Sequence, residues 1–188
     1  MSHPHETPVP GPAADFALAL SAHLPVLETP RLRLRAPRLE DIEPWVEILC
    51  GPAGPHLGGP FTRDEAFAEF ACACGTWLLR GHGLWTVDSR DDETLGFVLI
   101  GFEAGDLEPE LGYLFLPSAE GHGYATEAAQ AARGHARALR LPSLVSYIDP
   151  ANTRSRQLAR RLGATCEGDN AGSNVWRHWG AQHSGGQA

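Results

Sequence analysis

With 188 residues, 43% of them apolar, the chain is long enough to bury one domain core and too short for two comfortable ones. Acidic side chains outnumber basic ones by 23 to 15, which argues against a protein that tracks nucleic-acid phosphates and suits a cationic partner. No apolar run approaches the roughly 20 residues of a membrane span, and residues 1–12 lack the basic and apolar regions of a secretory signal, so a cytoplasmic location is expected.

Residues 1–25, rich in Pro, Ala and His, read as a poorly anchored leader with a short helix over Ala13 to His23. Arg31 to Ala36 alternates polar and apolar residues, as a half-buried strand does. Leu39, Ile42, Val46 and Leu49 recur at helical spacing, and the Gly/Pro-rich stretch 51–60 reads as loop. Thr62-Arg-Asp-Glu65 has the form of a capping box opening a helix that runs to about Leu79. Leu84 to Asp88 and Leu95 to Phe102 form a strand pair, and Glu110 to Leu116 a third strand. A helix over Tyr124 to Leu139 carries a stripe of small residues, Ala125, Ala128, Ala129, Ala132 and Ala136, that lets it lie close to a sheet. Leu144 to Ile148, Asn152 to Leu162 and Val175 to Trp179 complete the pattern as strand, helix and strand. Residues 181–188 read as a frayed tail, leaving 26–180 as a single domain. A meander followed by one β-α-β crossover makes an α+β, mixed α/β layer protein in which one strand pair is parallel.

Four cysteines, Cys50, Cys72, Cys74 and Cys166, without a secretory signal, read as reduced thiols. Cys72 and Cys74 form a C-x-C with no second pair, and the histidines show no ligand spacing, so no metal is expected.

The chemistry concentrates between Glu110 and Glu127. A strand ends at Pro117, Gly121 and Gly123 follow, and a helix begins at once. Glycines admit positive φ and close backbone approach. The first amides of a helix lack internal partners and sit at the positive end of its dipole, so the turn suits a pyrophosphate. A tight turn without ligand would use the same residues. A Walker loop requires a lysine that this turn lacks. A Rossmann loop, with Asp149 as the ribose acid, would require a third glycine where Thr126 stands.

From about Leu27 to Glu167 the sequence resembles the GNAT superfamily, specifically its ribosomal-protein N-terminal acetyltransferase-like (Rim) branch. Three segments carry the resemblance: Leu27-Glu-Thr-Pro-Arg-Leu-Arg-Leu-Arg35; Leu111-Gly-Tyr113 with Gly121-His-Gly-Tyr-Ala-Thr-Glu-Ala128; and Asn152-Thr-Arg-Ser155 with Leu162-Gly163. It implies a twisted mixed sheet with helices on both faces, and an acetyl-CoA-dependent N-acetyltransferase acting without metal. The amides of Gly121, His122, Gly123, Tyr124, Ala125 and Thr126 would bind the pyrophosphate. The edge around Leu114, Phe115 and Leu116 would pair with the pantetheine arm, and Asn152 and Ser155 would contact it or the thioester. The sequence departs from the family pattern at Ser118, Glu120, Ala159 and Ala164. Ala159 stands where many relatives place a tyrosine acid.

A neutral amine must attack, so a proton acceptor is needed. Glu110 is the candidate base, and Ser155 the candidate donor to the departing thiolate. Phe61, Trp85 and Tyr113 are expected to line the amine pocket. The acceptor is expected to be a protein N-terminus, with a small amine or antibiotic as the alternative, on a monomer or homodimer that binds neither nucleic acid nor membrane. A non-catalytic acyl-CoA-binding module is the rival reading.

Overall fold

The computed structural model describes residues 3–180; the tail expected over 181–188 lies outside the described residues. The elements run α1 (Pro12–Ser21), β1 (Leu27–Glu28), β2 (Leu32–Arg35), α2 (Ile42–Leu49), α3 (Arg63–Arg80), β3 (Leu84–Ser89), β4 (Thr94–Gly101), β5 (Glu110–Phe115), α4 (Tyr124–Ala138), β6 (Leu144–Ile148), α5 (Thr153–Arg161), β7 (Thr165–Asn170) and β8 (Ser173–Trp179). Eight strands form one sheet in the order β1-β2-β3-β4-β5-β6-β8-β7. Every neighbouring pair is antiparallel except β5 and β6, the pair joined by the α4 crossover.

Period-2 alternation divides the strand side chains between two cores. Trp85, Val87, Val98, Ile100 and Leu111 face the α4 side with the fully buried Ala128, Ala129, Ala132 and Ala136. Leu84, Phe97 and Leu114 face α2 and α3, where Trp45 meets Phe97 edge-on at 5.1 Å. The predicted capping box is present: Thr62 accepts from the Glu65 amide while the Glu65 carboxylate accepts from the Thr62 amide at 2.8 Å.

Arg35 ties the antiparallel half together. It donates to Asp41 at 2.7 Å and to Asp88 at 2.5 Å, all three side chains being buried, and Thr86 adds a hydrogen bond to Asp41. Burial disfavours the charge on Arg35, but the two carboxylates outweigh it and raise its pKa. Ahead of β1, α1 has no buried residue, whereas Glu6 is buried and accepts from Arg63 at 2.7 Å and 2.8 Å.

Candidate active site

The parallel seam between β5 and β6 is only one register step long, Glu110 opposite Val145. The Val145 amide donates to Pro109 O, as a parallel ladder requires. Further along, side chains intercept the groups that would continue it. Ser146 Oγ donates to Leu111 O at 2.6 Å, and the Tyr147 amide donates to Glu110 Oε1 at 3.0 Å. The strands therefore diverge, with Glu110 and Ser146 as the wedge.

The exposed edge of β5 follows from parity. The Leu116 amide donates to Leu95 O, so the even-numbered residues of β5 face β4. The amides and carbonyls of Tyr113 and Phe115 are thus directed into the opening. This corrects the sequence expectation in register. Leu116 turns its amide to β4, packs its side chain into both cores and lines neither cavity; Leu114 contributes only its side chain to the cleft.

Beyond β5 the chain makes a 3₁₀ turn, Pro117–Ala119, then passes through Gly121 and Gly123, both left-handed at φ 80° and 79°. A Cβ at Gly121 would meet nothing within 4 Å, so conformation, not space, requires that glycine. Among the described residues, the amides of 121–126 have no backbone acceptor; the first in the run that does is Glu127, bonded to Gly123 O. The turn is held from outside. Arg31 donates to Glu127 at 2.7 Å and to His122 O at 2.9 Å, its guanidinium lies 4.8 Å from the Tyr124 ring centre, and Thr29 donates to Glu127 at 2.6 Å. Burial alone would raise the pKa of Glu127, but the bonds from Thr29 and Arg31 prevail and lower it.

A cavity of about 720 Å³ extends from this turn along β5 to α5. Gly121, Gly123, Tyr124, Ala125, Thr126, Leu114 and Phe115 line it; His122 does not, its ring stacking on Tyr124 at 5.5 Å. Glu120 forms an ion pair with Arg154 of α5 at the rim. The left-handed glycines, the unpaired amides and the open strand edge together fit a coenzyme with a pyrophosphate and an amide-bearing arm.

A second cavity of about 330 Å³ abuts the first, and His56, Leu57, Tyr113, Leu114, Asn152 and Ser155 line both. Glu69, Glu103, Asp106, Glu110 and Asp149 also face the smaller one, and among the described residues neither Arg nor Lys lines it. Burial pushes the Glu110 pKa up to about 8, opposed by the Tyr147 hydrogen bond and assisted by Asp106 and Glu103. Burial first, then Asp106 and Glu69, also raises that of Glu103.

Of the expected pocket aromatics, Phe61 and Tyr113 line the smaller cavity. Trp85 does not, which corrects that expectation. It is fully buried on the α4 face of β3, edge-on to Trp77 at 4.7 Å, and donates its indole N–H to Pro25 O at 2.8 Å. Alternation places its neighbours Leu84 and Thr86, not Trp85, on the face that carries the cavity. Asn152 is the N-cap of α5, accepting from the Ser155 amide at 3.0 Å, and the Ser155 carbonyl accepts from the Tyr113 hydroxyl at 3.0 Å.

Sequence reasoning passed over His56, the acids Glu69, Glu103 and Asp106, and the Arg31–Glu127 clamp. His56 stood in a Gly/Pro-rich loop, where its partner could not be read. The opposite charges of Arg31 and Glu127 were legible, but not their meeting across 96 residues.

Among the described residues, no group of three or more His, Cys, Asp or Glu is placed to hold a metal, and no helix is long and apolar enough to cross a membrane. A family model for the acetyltransferase (GNAT) domain matches residues 31–165. An acetyltransferase from Agrobacterium tumefaciens str. C58 is 33% identical, with 81% of this chain and 93% of that one covered and a TM-score of 0.78. RimL, the ribosomal L7/L12 alpha-N-protein acetyltransferase in complex with coenzyme A, is 18% identical over 81% and 97% of the chains, with a TM-score of 0.67. The Salmonella typhimurium acetyl transferase that modifies the N-terminal serine of 50S ribosomal subunit protein L7/L12 is 16% identical over 81% and 96%, with a TM-score of 0.66. The last two likenesses establish the fold; the family model and the Agrobacterium relative mark the chain as an acetyl-transferring enzyme that belongs to the GNAT family.

Proposed function

We propose that the chain transfers an acetyl group from acetyl-CoA to a primary amine held in the acidic cavity. One observation carries the reading: the open β5 edge and the unpaired amides of 121–126 form one continuous cleft that abuts a pocket rimmed by carboxylates. The amides of Gly121 to Thr126 would hold the pyrophosphate, and the backbone of Tyr113 and Phe115 the amide-bearing arm. When bound, acetyl-CoA supplies an activated acyl carbon, and the protein aligns the amine with it.

An arriving ammonium is attracted by Glu69, Glu103, Asp106 and Glu110 and must lose one proton before its nitrogen can attack. With its pKa pushed up to about 8, Glu110 in its ionised form is basic enough to take that proton, so turnover should rise as pH climbs through that value. Its Oε1 holds the Tyr147 amide, leaving Oε2 for the amine. A protein N-terminus is the acceptor we favour. An α-amine has an ordinary pKa of about 8, against about 10.4 for a lysine amine, so its neutral form is more accessible. The Rim-like neighbours, one of which modifies an N-terminal serine, support the same choice.

Calorimetry with coenzyme A, and thiol release with acetyl-CoA over a panel of unblocked peptides and small amines, test the reading. Saturable binding with turnover on peptides is expected. Binding without turnover on any amine would favour a non-catalytic acyl-CoA module, and no binding would end the proposal.

A further inference from the structure

The side chains that line both cavities are the ones able to touch the amine nitrogen and the thioester sulfur in one reaction. Leu57 and Leu114 carry no polar atom. The Asn152 carbonyl oxygen is engaged by the Ser155 amide. The Tyr113 hydroxyl donates to Ser155 O, and burial, then Glu110, hold its proton more tightly than usual. The Ser155 hydroxyl titrates far above neutrality. That leaves His56, and histidine is the side chain type suited to accept and return a proton near neutral pH.

His56 is set for such a role. It sits in the 3₁₀ turn Gly54–Leu57 between α2 and α3, yet its Nδ1 lies 2.5 Å from Asp149 Oδ2 at the far end of β6. Asp149 is itself fixed by the Ala151 amide at 2.8 Å. The hydrogen bond from His56, then that amide, hold its carboxyl below the usual range, so it is the ionised acceptor of the pair. Nδ1 therefore donates, and Nε2 presents its lone pair. Carboxylate, imidazole and reacting atom in series form the arrangement that fixes tautomer and orientation in hydrolytic triads.

We propose that His56 Nε2, oriented by Asp149, carries a proton from the attacking nitrogen to the departing sulfur. The inference rests on the reading of the two cavities given above. Glu110 takes the proton that the ammonium sheds beforehand. The nitrogen lone pair then bonds to the acetyl carbon, and the carbon–sulfur bond breaks with its electron pair on sulfur. The second proton leaves nitrogen for Nε2 and passes from Nε2 to sulfur, giving the amide and the free thiol with His56 unchanged. The other charged or titratable groups around His56 are Tyr113, Tyr147, Glu110, Asp106, Glu103 and Glu69 in the smaller cavity, and Glu47, Tyr124, Arg161 and the Glu120–Arg154 pair in the larger.

Two measurements test the shuttle. Thiol release with an unblocked N-terminal-serine peptide and with simple diamines is compared in the parent, His56→Gln, His56→Ala and Asp149→Asn. A fall in kcat of about 10²-fold or more in His56→Gln is expected, with KM for acetyl-CoA unchanged. Added imidazole should restore part of the His56→Ala rate, and Asp149→Asn should lose less. A parent-like kcat in both His56 variants overturns the proposal, as does a change confined to KM, which a mere strap between loop and sheet would give.

The second measurement needs no acceptor: the His56 ring is titrated by NMR in complexes with coenzyme A and with desulfo-coenzyme A. Different titration midpoints are expected, because only coenzyme A places a thiol at the junction. Identical curves overturn the proposal while leaving coenzyme binding intact. Failure of either coenzyme to bind overturns the cavity reading together with it.

Discussion

β5 has two unlike edges. Towards β4 it is paired from Glu110 to Phe115, while towards β6 it is paired at a single register step. The first edge satisfies its amides within the sheet and lies between two apolar cores. The second keeps the backbone of Tyr113 and Phe115 directed into a cleft, and Glu110 and Ser146 use their side chains to stop the ladder closing. A paired edge and an open edge therefore share one strand because alternate residues address opposite neighbours.

The largest effect should come from breaking the closed side. Arg35→Met leaves Asp41 and Asp88 buried without their cation, and denaturant unfolding should record a loss of about 3–5 kcal/mol. The open side should respond in activity instead. Glu110→Gln keeps an oxygen for the Tyr147 amide, so the wedge survives while turnover falls by about 10²-fold. The same variant has a pH signature in stability. The carboxyl pKa is raised on folding from 4.5 to about 8, so its neutral-form contribution is fully present below pH 4.5 and lost as pH climbs through about 8. Melting curves of parent and variant should separate across that window, the parent becoming the less stable of the two.

Gly123→Ala tests the turn that ends the open edge. A side chain at φ 79° costs about 1–2 kcal/mol, and calorimetry should show weakened coenzyme A binding beyond what that loss explains. The smallest effect belongs to the rim, where Arg154→Ala should change stability by no more than about 1 kcal/mol, because its pair with Glu120 is exposed.

Local pattern revealed most of the fold. The alternation in Arg31 to Ala36, the capping box at Thr62 and the alanine stripe of α4 each declare their element within a few residues. β7 escaped because it is an exposed edge strand of Thr, Cys, Glu, Gly, Asp and Asn, with no alternating apolar face. The glycine turn was legible because its glycines and helix start are contiguous. The lining of the smaller cavity was only partly so. Trp85 was misassigned because composition does not tell which face of a strand is covered. The pairing of His56 with Asp149 spans 93 residues and emerges only when the α2–α3 loop meets the end of β6.

Residue-resolved hydrogen exchange with and without coenzyme A is the most direct test of the two-edged strand. The amides of Tyr113, Phe115 and residues 121–126 should gain protection on binding, while those of Gly112 and Leu114, already bonded to β4, should not change. Equal protection of both sets in the free protein, or no gain at Tyr113 and Phe115 on saturation, would contradict the account.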